Sequence, residues 1–155
     1  MTVFITGMSG AGKSTLLAEL ARRGRHVVDT DYGGYAVETA DGQVWIEARI
    51  SELLDERPDY VAGCVPNQGE FYPRFAAVVL LSAPLEVLLE RVAARTTNPF
   101  GKTPEQRARI VADHAEVEPL LRAGATAELD ARQPPADLAD EIEAISASGR
   151  ARSPR

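Results

Sequence analysis

The chain has 155 residues, 45% of them hydrophobic and 26% charged, which suits one soluble α/β-sized domain with a proper core. Its net charge of −6 argues against a general nucleic-acid binder. No apolar run is long enough to span a membrane, and the single cysteine, Cys64, excludes an internal disulfide and a cysteine metal cluster.

The first element is Thr2-Val-Phe-Ile-Thr6, a short apolar and β-branched run that suits a buried strand. It begins almost at Met1, which reads as a chain without a signal peptide and fits a cytoplasmic protein. Residues 7–14 follow as Gly-Met-Ser-Gly-Ala-Gly-Lys-Ser, a complete G-x-x-x-x-G-K-[ST] phosphate-binding loop. Its glycines, Gly7, Gly10 and Gly12, let backbone N–H groups turn inward at an anion, with Ser9, Ala11 and Thr15 completing the wrap. Lys13 supplies a mobile charge for the β- and γ-phosphates, and the Ser14 hydroxyl is placed to ligate Mg2+. The helix that opens here carries Leu16, Leu17, Leu20 and Ala21 on one stripe, and its positive dipole end faces the same anion.

Residues 26–29, His-Val-Val-Asp, read as a second strand ending in Asp29-Thr-Asp31. Mg2+ takes hard oxygen ligands and binds through one or two carboxylates plus phosphate, so the pair Asp29 and Asp31 is a metal candidate, and a second carboxylate there could orient or deprotonate an acceptor hydroxyl. Residues 32–43 read as a loop and 44–54 as a helix with Ile50, Leu53 and Leu54 inward. Residues 60–63 form a third strand and 64–74 a polar loop. In these stretches Asn67 and Gln68 could bond acceptor hydroxyls, whereas Tyr32, Tyr35, Trp45, Arg49 and Cys64 read singly as packing or surface residues.

Residues 75–81 are fully apolar and predict a central strand. Pro84 opens a helix to Arg95, with Arg91 and Arg95 on one face, where guanidinium groups can meet the phosphates. Residues 96–102, with Asn98-Pro99 and Gly101, read as a loop closing over the nucleotide, and Lys102 as its cation. Lys13 and Lys102 are the only lysines against 15 arginines, which singles out Lys102. Thr103-Pro-Glu-Gln106 predicts a capping box for a helix to Ala123 with a break near Pro119. A fifth strand covers 126–130, and Pro134-Pro135 starts a last helix ending near Ser146; residues 147–155 read as a flexible basic tail. His26 and His114 carry no pattern.

Strands alternating with helices predict a parallel sheet covered on both faces, with ligands beyond the carboxyl ends of the strands. The chain resembles the P-loop small-molecule and nucleoside-monophosphate kinases, most closely the shikimate kinase-like branch, over nearly its whole length. The phosphate loop, Asp29-Thr-Asp31 and Arg91-Val-Ala-Ala-Arg95 carry the resemblance. It implies a three-layer α/β/α fold in residues 1–146, a five-stranded sheet of order 2-3-1-4-5, and a lid at about 96–103. It further implies Mg2+ held through water by Asp29, an acceptor hydroxyl facing Asp31, adenine packed on Arg95 and flanked by Pro134, and Lys102 at the phosphates. The catalytic set is then Lys13, Asp31, Arg91 and Lys102. The acceptor side departs from the family: only Gly63 stands for its glycine triplet, and Val117 occupies the place of its acceptor-binding Arg.

These residues point to an ATP-dependent phosphotransferase acting on a small molecule, working as a monomer or weak dimer. A nucleotide-dependent switch matches only Asp31-Tyr-Gly-Gly34 as D-x-x-G and has no N-K-x-D guanine motif. A non-catalytic ATP-binding module and a polynucleotide 5′-kinase are the other readings.

Overall fold

The computed structural model describes residues 1–96 and 99–152, so Thr97-Asn98 of the predicted lid and the last three residues of the tail lie outside the described residues. Five parallel strands form the sheet: β1 (Val3–Thr6), β2 (Val27–Asp29), β5 (Tyr60–Ala62), β6 (Ala77–Ser82) and β7 (Ala127–Asp130). Their order is β2-β5-β1-β6-β7, which is 2-3-1-4-5 when these parallel strands alone are counted. β1 is central, with Phe4 in register with Val61 on one side and Val78 on the other.

Alternation along β1 divides the core into two layers. Val3 and Ile5 point to one face, where α1 (Lys13–Arg22) and α6 (Pro135–Arg152) cover them through Leu16, Leu20, Leu138 and Ile142. Phe4 points to the other, against α2 (Glu47–Asp55) and a 3-10 segment (Gln68–Arg74). There it stacks on Phe75 at 4.9 Å between ring centroids and meets the edge of Trp45 at 5.3 Å. Such pairs contribute roughly 1 kcal/mol each beyond the area they bury.

The remaining elements are β3 (Ala36–Thr39), β4 (Gly42–Trp45), α3 (Leu85–Ala94), α4 (Pro104–Glu116) and α5 (Glu118–Gly124). The predicted loop at 32–43 is corrected here. It contains an antiparallel hairpin, with Val37 opposite Val44. Ala40-Asp41 connects the strands between the paired Thr39 and Gly42, Gly42 taking φ +100° and Thr39 Oγ1 donating to the Gly42 carbonyl at 2.8 Å. Val44 and Trp45 belong to that hairpin, so α2 starts at Glu47 rather than at 44. The polar stretch 64–74 is partly helical, the strand read at 75–81 lies at Ala77–Ser82, and α6 continues past Ser146 to Arg152. The break near Pro119 falls at Val117, between α4 and α5. The capping box forms: Thr103 Oγ1 accepts from the Gln106 N–H at 3.2 Å. Among the described residues, no helix is long and apolar enough to cross a membrane.

The hairpin is locked onto the sheet where β5 ends. Trp45 Nε1 donates to Thr30 Oγ1 at 3.1 Å, and that hydroxyl donates to the Ala62 carbonyl at 2.8 Å. A Cβ on Gly63 would overlap Thr30 Oγ1 and come within 3.3 Å of the Trp45 ring. Gly63→Ala is therefore expected to destabilise the fold by about 2 kcal/mol and lower Tm by several degrees in calorimetry. An unchanged Tm would show that this junction has slack.

Candidate active site

The phosphate loop fills the gap between β1 and α1, and glycine makes its path sterically allowed. Gly10 has φ +87°, and a Cβ there would stand 2.7 Å from the Leu88 carbonyl oxygen of α3. Gly12, at φ +94°, precedes α1 without any side-chain cap, so the first N–H groups of the helix are left for a ligand. Residues 7–16 line an open cleft of about 1040 Å³. Turning the amides toward the cleft turns carbonyls the other way, and cations meet them. Lys13 Nζ donates to the Gly7 carbonyl at 2.5 Å and to the Met8 carbonyl at 3.3 Å.

The acidic pair lies beside this loop. Ser14 Oγ donates to Asp29 Oδ2 at 2.7 Å, and the Asp31 N–H donates to Asp29 Oδ1 at 3.1 Å. Two hard oxygens, one hydroxyl and one carboxylate, thus face each other at the edge of a phosphate cradle. Mg2+ bound jointly by phosphate, water and one or two protein oxygens fits this set. Asp31 is exposed as a residue, yet burial of its carboxyl raises its pKa above the usual value; Lys13 opposes that shift and Asp29 adds to it.

Arg91 and Arg95 both reach the loop. Arg91 bonds the Ala131 carbonyl at 2.7 Å and makes longer contacts to the Gly10 and Ala11 carbonyls at 3.5 and 3.4 Å. Arg95 bonds Ser9 Oγ at 3.3 Å and the Phe100 carbonyl at 2.9 Å, and burial holds its pKa below the usual value. Lys102 is elsewhere. Its ammonium caps the end of α3 through the Ala93 carbonyl and, at 2.7 Å, the Arg95 carbonyl, and it does not line the cleft. Pro134 is exposed; its neighbours Gln133 and Pro135 line the cleft instead.

The two amides read as acceptor ligands are spent on the fold. Asn67 makes a two-way bond with the backbone of Trp45, accepting at 2.9 Å and donating at 3.0 Å. Gln68 is buried, donating to Thr6 Oγ1 at 3.1 Å and Tyr72 Oη at 2.8 Å. Trp45 is core, and Arg49 lies over the Tyr35 ring at 5.3 Å while bonding the Gly33 carbonyl. Of that group only Tyr32 and the half-buried Cys64 line the cleft. The sequence reading missed Ile110 and Asp113, one turn apart on α4, which also line it. Their only signal was the i, i+3 spacing on the helix that follows the lid.

Comparison with known proteins bears on the family and the fold. A family model described as an AAA domain matches residues 3–112. The chain is 31% identical to a shikimate kinase of Aromatoleum aromaticum over 141 residues, covering 79% of this chain and 80% of that one. It is 29% identical to a shikimate kinase of Psychrobacter arcticus, covering 78% and 75%. In fold it is similar to the shikimate kinase from Acinetobacter baumannii in complex with shikimate, at TM-score 0.66 and 24% identity, covering 95% of this chain and 93% of that one. A gluconokinase from Sinorhizobium meliloti gives TM-score 0.60 at 21% identity, covering 95% and 91%.

Two outcomes follow from these positions. Since the folded-state pKa of Asp31 is raised, the native protein holds that proton more tightly than the unfolded chain, and the carboxylate costs stability as pH rises above its usual value of 3.8. Asp31→Asn is thus expected to be more stable than the parent in urea at pH 7, with the difference fading toward pH 3.5; equal stability at both would remove the burial argument. Lys102→Met should cost about 0.5 kcal/mol through the lost helix cap. A ~100-fold fall in kcat at unchanged stability would instead place Lys102 at the phosphates.

Proposed function

The chain belongs to the shikimate kinase-like branch of the P-loop small-molecule kinases, and we propose that its cleft runs the family reaction with Asp31 as the acceptor's base and Ser14 and Asp29 as the Mg2+ ligands. ATP is the co-substrate, and a small-molecule hydroxyl is the acceptor. The observation that carries the residue assignment is the Ser14–Asp29–Asp31 chain of hydrogen bonds beside the loop.

The reaction breaks the bond between the γ-phosphorus and the oxygen that leaves on ADP, and forms one from that phosphorus to the acceptor oxygen. The acceptor proton passes to Asp31, whose raised pKa suits a group that must take it up. Loop amides and Lys13 hold the triphosphate, and Arg91 places a guanidinium at the loop's rim, against the charge spread over the transferring group. Arg95, Gln133 and Pro135 line the same cleft and would enclose the nucleotide base. Mg2+, when bound, neutralises phosphate charge. A cytoplasmic setting with its supply of Mg-ATP suits this chemistry.

Kinase relatives set the switch and binding-module readings aside. Asp31→Asn is expected to lower kcat by about 1000-fold while leaving the ATP Kd within about threefold. Equal loss of both would remove Asp31 from the chemistry. Ser14→Ala is expected to raise the Mg2+ concentration for half-maximal rate by about tenfold at saturating ATP; an unchanged Mg2+ requirement would argue against the ligand assignment.

A further inference from the structure

We propose that Tyr32 is a further binding residue of this cleft, its phenol hydroxyl donating to the terminal phosphoryl group of the nucleotide from the β2 side. The inference rests on the phosphotransfer reading of the same cleft. Its ground is an aromatic side chain that the fold holds at the cleft wall without packing it. Tyr32 lines the cleft and is 63% exposed, outside both layers of the core. Its backbone is fixed on both sides. The Tyr32 N–H donates to the Asp29 carbonyl at 3.2 Å, and the next carbonyl, of Gly33, accepts from Arg49 Nη2 at 3.2 Å. Gly33 and Gly34 then take φ +89° and +79°, so the chain turns away at once by a path that side chains disfavour. An anchored main chain with an unpacked tyrosine suits a ligand contact better than it suits the core.

Two observations place the phenol. Along the chain it follows Asp31, and its N–H bond puts it in the turn that carries Asp29 and its partner Ser14. Across the cleft it acts on Arg95. Burial lowers the Arg95 pKa, and the Tyr32 phenol opposes that shift through a charge interaction that fades with distance. Arg95 itself bonds Ser9 Oγ in the phosphate loop. Tyr32 and Arg95 thus approach the loop from its two flanks, the end of β2 and the end of α3. A triphosphate held by the loop passes between them. Its terminal group lies at the acidic turn, because Asp31 serves the oxygen that attacks it. The lid side leaves room for such a donor. Lys102 is spent on the end of α3, and of residues 99–103 only Phe100 lines the cleft. A phenol supplies one O–H to a phosphoryl oxygen and brings no charge that must be desolvated.

The test reads nucleotide binding, so no acceptor is needed. Kd values for Mg-AMP-PNP and Mg-ADP are measured by calorimetry on the full-length parent, Tyr32→Phe and Tyr32→Ala. Tyr32→Phe deletes only the hydroxyl; it is expected to weaken Mg-AMP-PNP by about tenfold and Mg-ADP by less than about twofold. Tyr32→Ala should weaken Mg-AMP-PNP at least as much, at unchanged Tm, since the side chain is exposed. Nitration of Tyr32 by tetranitromethane, located by peptide mass, should slow by about fivefold or more with Mg-AMP-PNP at ten times its Kd and change little with Mg-ADP. Equal losses for the two nucleotides, an unchanged Mg-AMP-PNP affinity in Tyr32→Phe, or equal protection by both would overturn the proposal and leave phosphotransfer standing. A parent protein that binds neither nucleotide would overturn both.

Discussion

A backbone that points its amides at a ligand must find partners for the carbonyls it turns the other way. Residues 7–14 face that constraint within eight residues, and much of the site follows from it. Packing the loop against α3 requires glycine at Gly10, because a side chain would strike the Leu88 carbonyl. The displaced carbonyls of Gly7, Met8, Gly10 and Ala11 draw Lys13 and Arg91 onto the loop. Both cations line the same cleft as the loop. Satisfying the backbone and concentrating positive charge are one event here, which is why the donor half is so densely organised.

The sheet supplies the other half of the arrangement. β1 is central, so the loop after it sits between the ends of β5 and β6. β2 lies beyond β5, and its end carries Asp29 to the side of the loop. The hairpin β3–β4 folds over the same edge and is fastened by Trp45, Thr30 and Asn67. The phosphate loop is thus held through its own carbonyls, and the neighbouring edge of the sheet through the side chains of Trp45, Thr30 and Asn67.

The sequence disclosed what depends on local chemistry. The phosphate loop, the strand–helix alternation, the paired acids after β2 and the Arg91–Arg95 spacing are all readable because each is set by neighbours within a few residues. What it concealed depends on distant partners. The Ala40-Asp41 turn before Gly42 was hidden in a stretch with other glycines, and its strands are short and mostly exposed. The amides of Asn67 and Gln68 looked free, since their partners Trp45 and Thr6 are 22 and 62 residues away. Pro134 and Pro135 differ by one residue, and helix phase alone decides which meets the cleft. Asp113 belongs to no motif; only the packing of α4 turns it inward.

Lys102, capping α3 through two carbonyls, and Lys13, closing over two carbonyls of the loop, share a geometry. A compact ammonium can serve convergent acceptors that a flat guanidinium would straddle. This chain keeps lysine at those two places only. Its side-chain primary amines are thereby reduced to two, one at the phosphate loop and one at the end of α3. Mild acylation thus becomes a footprint with built-in calibration. Lys13 lines the cleft, and the exposed Lys102 amine, which does not, serves as the reference within the same molecule.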